Sequence, residues 1–333
     1  MTTKIFLTVD TELWPAVTGW PHAPLPAEDG CEWEMRAYVE GETKGGNYGV
    51  PYQLRILKDH GLKATYFIEP LFSFALGLPP LRELISQVQQ NGQEVGLHLH
   101  PEWLTDPRCT NLPSFCGPLI ASYGQDAQEQ LIKVGLDRLH EAGADPISMF
   151  RAGSWGANQL TLNALAKNGL FMDTSLNATF TQSLPDLLDR KTLQNPSLFG
   201  SVTEFPVTQF LDGSRRGIRP LHVNACSFDE FRFVVDAAIE QERLTIVVVF
   251  HCFEFVRVSR ISRGRLTSPQ RMLIRRFEKI CHYLAAQNTI LETCHFRDIR
   301  LPVSNLQVNP TPIRSSRMRT SSRMAQQMLS HLY

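Results

Sequence analysis

The sequence is marked first by what it lacks. There is no CxxC pair, no GxGxxG and no phosphate-binding P-loop, so neither a thiol-ligated metal nor a nucleotide-binding sheet has direct support. The longest apolar stretch, Ile246 to Phe250, is far too short to cross a bilayer. Net charge is absent as well: 33 basic residues balance 33 acidic ones, which removes any general bias toward nucleic acid or membrane. The seven cysteines are odd in number and scattered, so they form no disulfide framework, and reduced thiols in a cytoplasm are the simplest reading. The start, MTTKIFLTVD, lacks the basic-then-apolar pattern of a signal peptide. The expectation from these absences is a cytoplasmic protein without a transmembrane segment.

What is present is a long alternation. The run Ile5-Phe6-Leu7-Thr8-Val9 is a buried strand that delivers Asp10 and Glu12 as it ends. An irregular segment from Trp14 to about Tyr48 follows, rich in Gly, Pro, Trp and charge, and is expected to act as a lid or substrate wall. From Pro51 onward helix and strand alternate about seven times. Gly61, Gly92, Gly143 and Gly169 stop the helices, Asp126 with Glu129 reads as a capping box, and Ser268-Pro269 reads as a helix start. Short connections of this kind argue for parallel strands with crossover helices. A β/α barrel fits best, because polar residues arrive after strands spread along the whole chain. One domain is expected over residues 1–300. Residues 301–333 are basic, rich in Ser, Pro and Arg and free of acid, and are expected to form a flexible tail that could contact a partner or anionic lipid.

Four strand ends carry candidate chemistry. Asp10 and Glu12 are two apart, so both can face one way and supply one metal ligand and one base. In EVGLHLHPEW, His98 and His100 share a face and Glu102 keeps the same parity after Pro101 bends the chain. Two imidazoles and a carboxylate are a common zinc set that leaves a position for water. Arg151 follows a buried strand in FRAGSWGAN and can keep Asp10 ionised. His251 ends VVVFH and can protonate a leaving amine. Asp173 and Ser175 in MDTSLN are candidate rim residues. Trp14, Trp103 and Trp155 lie close to the motifs, where aromatic faces can meet sugar rings or simply pack.

Taken in order, TVDTELW, EVGLHLHPEW, FRAGSWG and VVVFHCF, with ILKDHGLKATYFIEP between the first two, resemble the motifs of the polysaccharide deacetylase family over residues 4 to 293. The resemblance implies a distorted (β/α)7-type barrel and a divalent metal, usually zinc. It further implies Asp10 as the base, Arg151 holding it, and His251 as the acid. Two departures accompany it. The usual adjacent aspartates are replaced by an acid-x-acid pair, which suggests Glu12 as ligand and Asp10 as base, or the exchange of those roles. The histidines are two apart where the family spaces its ligands four apart, so either His100 or Glu102 completes the set with Glu12 and His98. The function implied is a metal-dependent hydrolase that removes an N-acyl group, acetyl first among candidates, from an amino sugar or saccharide precursor. The alternatives are a metal-independent glycosidase and a carbohydrate-binding protein without turnover.

Overall fold

The computed structural model describes residues 2–14, 21, 32–186, 193–214, 217–258, 266–299 and 311–332, the side chains of 329–332 excepted. The apolar, β-branched run near the start forms β1 (Thr3–Thr11), in which every residue except Lys4 is buried. A strand buried on both faces belongs in the middle of a parallel sheet covered by helices. Eight strands join it: β2 (Ala64–Ile68), β3 (Glu94–Leu99), β4 (Phe150–Ala152), β5 (Met172–Asp173), β6 (Ser197–Phe199), β7 (Val202–Glu204), β8 (Thr245–His251) and β9 (Leu291–Thr293). Their order is 8-1-2-3-4-5-7-6, with β9 beside the first residues of β1. All pairings are parallel except the β6–β7 hairpin.

The crossovers are the helices α1 (Val50–Asp59), α2 (Leu78–Gln90), α3 (Gln125–Glu141), α4 (Gln159–Lys167), α5 (Phe228–Glu240) and α6 (Arg271–Ala286). The sheet curls until its two sides meet through irregular chain. Thr208 N donates to Val247 O at 3.2 Å, Val249 N to Leu221 O at 3.1 Å and Val223 N to Val249 O at 3.0 Å, while Val207 N donates back to Leu176 O at 2.9 Å. The outcome is the distorted β/α barrel expected from the alternation.

Strand parity divides the core in two. Ile5, Leu7 and Val9 pack in the larger cluster with the helices. Phe6, Phe67, Met149, Phe205, Val207, Val247, Val249 and Phe296 fill a separate one inside the barrel, where Phe6 stacks on Phe296 at 4.0 Å between centroids. Gly96 belongs to this interior because a Cβ there would lie 2.8 Å from the Phe67 ring. The same inward parity continues toward the strand ends and turns polar: Phe6, Thr8, Asp10 on β1; Gly96 and His98 on β3 with His100 just past it; Met149 just before β4 and Arg151 on it; Val247, Val249, His251 on β8.

Several local expectations are corrected. The Asp126 capping box is absent: α3 starts behind Gly124, which has no side chain to cap with, and Glu129 instead accepts a bond from Gln125 at 2.9 Å. True capping boxes stand at Asn158/Thr161 and Ser227/Glu230. Ser268 and Pro269 pair in a short antiparallel ribbon with Val256 and Arg257, so α6 begins only at Arg271. Within the long segment after β1, residues 15–20 and 22–31 lie outside the described residues; the remainder forms helical turns over Glu32–Glu34 and Met35–Glu40 and a small hairpin. Among the described residues no helix is long and apolar enough to cross a membrane.

The chain's end departs from the expected flexible tail wherever it is described, residues 301–310 lying outside that set. A helix α7 (Arg317–Leu332) docks beside α5 and carries Arg323, 1% exposed, onto Asp212 at 2.9 Å and Glu230 at 3.0 Å. Thr320 accepts a bond from Gly213 N at 2.8 Å, and Ile313 is buried. A basic, acid-free segment reads as solvated in isolation, but its buried arginine finds its acids 93 and 111 residues away. Removing one partner of a buried charge cluster leaves the others unpaired. Arg323→Ala is therefore expected to lower the unfolding free energy by about 3–5 kcal/mol, read from the denaturant midpoint.

Candidate metal and catalytic site

The parallel register brings the strand ends to one level. Asp10 is the register partner of His251, and His98 that of Arg151. Four sequence-distant tips therefore meet at the C-terminal end of the barrel, where barrel active sites are built.

Arg151, with no exposed surface, is the cation of the group. Its guanidinium donates to Asp10 Oδ1 at 2.6 Å, Thr8 Oγ1 at 2.9 Å and Thr174 O at 3.2 Å. It also lies over the rings of Phe67 and Trp155, at 4.4 and 5.0 Å. Trp155 reaches this place through a turn in which Ser154 and Trp155 both have positive φ, 50° and 59°. Burial alone would push the Asp10 carboxyl up, but the charges of Arg151, His98 and His251 outweigh it and hold Asp10 below the usual carboxylate range.

Glu12 lies just past the strand. Its Oε2 faces His98 Nε2 at 3.3 Å and His100 Nε2 more closely still. His98 Nδ1 contacts the carbonyl of Arg151 at 2.8 Å; a carbonyl only accepts, so Nδ1 carries a proton and Nε2 is turned toward Glu12. Buried Glu12 Oε2 meets no donor among the described residues apart from these two rings. A buried carboxylate oxygen turned to two imidazole Nε2 atoms needs positive charge there, from protons on the rings or from a cation between them. Donor type, number and orientation thus fit a divalent ion held by Glu12, His98 and His100.

Glu102 meets His100 on its opposite nitrogen, Nδ1, at 3.3 Å. That places it behind the ring, as an orienting partner on the side away from Glu12. Burial would lower the His100 imidazole, yet Glu12 and Glu102 together hold it well above its ordinary value. Trp14 donates its indole N–H to Glu12 Oε1 at 2.9 Å, so it braces the carboxylate. Gly153 approaches His100 so closely that a Cβ there would lie 2.8 Å from the ring.

His251 stands on the other side of Asp10, with Nε2 at 3.8 Å from Asp10 Oδ2. Its side chain is 24% exposed, against 3–5% for Asp10, Glu12, His98 and His100, so it is the member most open to an incoming molecule. Its Nδ1 bonds Glu254 Oε1 at 3.0 Å. Burial would depress this imidazole, but the bond to Glu254 and the charges of Glu254 and Asp10 push it up to about 9.

His222, His251 and Glu254 also bring three donor atoms within 4.8 Å. This second cluster is arranged for protons. His222 Nδ1 accepts the Asn224 N–H at 3.3 Å, which puts the ring proton on Nε2, 3.3 Å from Glu254 Oε1. Asn224 Nδ2 donates to the same oxygen at 2.6 Å. One carboxylate oxygen therefore collects three donors.

The remaining sequence candidates are placed away from any open surface. Trp103 is fully buried in the helix-side core against Phe72, and no ring face is left for a sugar. Trp155, 7% exposed, backs Arg151. Asp173 and Ser175 are fully buried and bond to each other at 2.6 Å, so neither lines a rim. Sequence reasoning missed Glu254, although its i+3 spacing from His251 in HCFEF was available as a signal. His222 carried none, since the stretch around it matches no periodic element. Glu69, fully buried at the end of β2, was missed too. Burial pushes its carboxyl up to about 8, although nearby His100 and the N–H groups of Leu71 and Phe72 favour its ionised form.

No protein-family model matches the chain, and no curated protein matches it. Solved structures do. A Mycobacterium smegmatis protein provisionally named a polysaccharide deacetylase aligns over 95% of this chain and 94% of its own, with 16% identity and a TM-score of 0.52. A family 4 carbohydrate esterase from Streptomyces lividans, solved with acetate, aligns over 94% and 98% with 13% identity and a TM-score of 0.42. A CE4 family pseudoenzyme from Bacillus anthracis aligns over 94% and 69% with 10% identity and a TM-score of 0.41. The first carries the comparison, and at that identity the likeness is one of fold. The resemblance to polysaccharide deacetylases read from the motifs is thus matched by the barrel that presents them.

The pair formed by Arg151 and Asp10 is testable without a substrate. Arg151→Met leaves Asp10 as a buried anion and is expected to cost about 3–5 kcal/mol of stability. Adding Asp10→Asn should recover part of that loss in a denaturant titration, because the stranded charge is then gone.

Proposed function

We propose that the protein is a metal-dependent deacetylase that hydrolyses the N-acyl group, acetyl in the first instance, of an amino sugar or saccharide precursor. The observation that carries this reading is the pairing of two unlike sites at one barrel end. Glu12 faces the Nε2 atoms of His98 and His100, and beside it Asp10 is kept ionised by Arg151. The fold shared with the polysaccharide deacetylase-like structure supports the same reaction class, and the alternatives of a metal-free glycosidase or a non-catalytic sugar binder leave the Glu12–His98–His100 arrangement without a task.

Glu12, His98 and His100 would hold the ion, with zinc the best match to the donor set. When bound, a divalent cation supplies Lewis acidity toward the acyl carbonyl and an attacking water. The chain's own groups manage the protons. Asp10, low in pKa and fixed by Arg151, accepts the proton that water loses as its oxygen bonds to the acyl carbon. His251, protonated on Nε2 and anchored through Nδ1 by Glu254, gives its proton to the nitrogen as the C–N bond breaks. The products are a carboxylate and a free amine. Glu102 and Trp14 orient His100 and Glu12, and the openness at His251 marks the side from which the sugar enters.

Metal analysis of the purified protein is expected to find about one divalent ion per chain, lost in His98→Ala. Asp10→Asn should keep the ion while lowering amine release from N-acetylated amino sugars by about 10²–10⁴-fold. Metal-free protein with full activity, or activity that survives chelation, would refute the proposal.

The pH profile is a separate check. His251 must be protonated to act as an acid, so activity should be present below its pKa and fall as pH rises through about 9. Glu254→Gln removes the carboxylate that lifts this pKa, and the alkaline limb should move down toward about 6.5.

A further inference from the structure

Two carboxyl groups that the proposed reaction leaves unused lie next to Arg151. Asp173 of β5 and Glu204 of β7 are register partners on parallel strands, so their side chains leave the sheet on the same face. Both are fully buried. The side-chain donors of Arg151, whose charge favours an ionised Glu204, go instead to Asp10, Thr8 and Thr174. The chain satisfies one oxygen of each carboxyl: Ser175 Oγ donates to Asp173 Oδ1 at 2.6 Å, and Leu176 N donates to Glu204 Oε1 at 2.9 Å. The other two oxygens, Asp173 Oδ2 and Glu204 Oε2, have no hydrogen-bond partner among the described residues.

A bond between these two neighbouring carboxyl groups would need a hydrogen, since an ionised carboxylate only accepts. Two adjacent buried anions would repel in a medium that screens poorly, whereas a single proton supplies the donor that both free oxygens lack. We propose that Asp173 and Glu204 share one proton and act together as a positioning pair for Arg151, and through it for Asp10. Burial pushes both groups up, and the charge of Asp173 adds to the rise of Glu204. The pair pins the chain between them. Ser175 Oγ, having given its hydrogen to Asp173, accepts the N–H of Ala152, the residue after Arg151, at 2.9 Å. Thr174 O accepts from Arg151 Nε, and Thr174 Oγ1 donates to the carbonyl of Phe205, the residue after Glu204, at 2.7 Å. A doubly ionised pair would compete with Asp10 for the guanidinium; a singly protonated one holds the frame and leaves Arg151 to Asp10.

The positioning role rests on the deacetylase reading, while the shared proton does not. Infrared difference spectra of the full-length protein at neutral pH, wild type minus Glu204→Gln, test the proton directly. The stretch of a protonated carboxyl should appear in the difference, and any contribution from Glu69 cancels. Its absence would overturn the shared proton. Kinetics test the role: Glu204→Gln, whose amide can donate to Asp173, should keep kcat within about threefold, and Glu204→Ala should lose about tenfold or more with KM little changed. Equal loss in both variants, or none in the alanine variant, would overturn positioning. Should the alanine variant fail to fold, Glu204→Leu, which keeps the bulk but has no donor, replaces it with the same expected loss, and its absence would overturn positioning. A wild type inactive on every acylated amino sugar would sink the function while the infrared band still decided the proton.

Discussion

The ion pair between Arg151 and Asp10 sets the conditions for everything at the top of the barrel. A guanidinium without exposed surface survives only if its donors are met and its charge is balanced. Thr8, Thr174 and Asp10 meet the donors, and the faces of Phe67 and Trp155 supply further electrostatic support. The price is local rigidity: the left-handed turn at Ser154 and Trp155, and a parallel register that cannot slip by one residue without turning Arg151 out of the barrel. The carbonyl of the same arginine holds Nδ1 of His98, so one residue orders both the proposed base and a proposed ligand.

Around that pair the same residue type is put to different uses by its surroundings. His98 directs Nδ1 with its proton at a carbonyl and turns Nε2 toward Glu12. His100 is held between two carboxylates. His251 is held by one carboxylate and stays partly open to solvent, which suits proton donation, while His222 keeps its proton on the nitrogen facing Glu254. Burial and the identity of the partner on each ring nitrogen separate these roles, since the unperturbed imidazoles are alike.

The irregular side of the barrel has a mechanical role. Residues 208 and 221–223 bond along β8, and Arg276 donates to the carbonyl of Val223 at 2.9 Å, which fixes the stretch bearing His222 and Asn224. Arg323 of α7 grips Glu230 and Asp212 on either side of that stretch. The last helix therefore braces chain that supports His251 through Glu254.

Much of this was legible in the residues. The apolar run ending in Asp10 and Glu12, the parity of His98 and His100, and the placement of Arg151 and His251 after buried strands follow from local periodicity, and they define a barrel with its polar residues at one end. Local pattern cannot say which oxygen faces which nitrogen. It left Glu102 as a possible ligand, where the fold sets it behind His100, and it offered Trp103, Asp173 and Ser175 as surface groups, where the fold buries them. It also read a solvated tail where Arg323 is buried among acids distant in sequence. Periodicity is a property of neighbours along the chain and determined the strands and their inward faces. Charge pairing, tautomer and burial depend on groups tens to hundreds of residues apart, and only the closed barrel decided them.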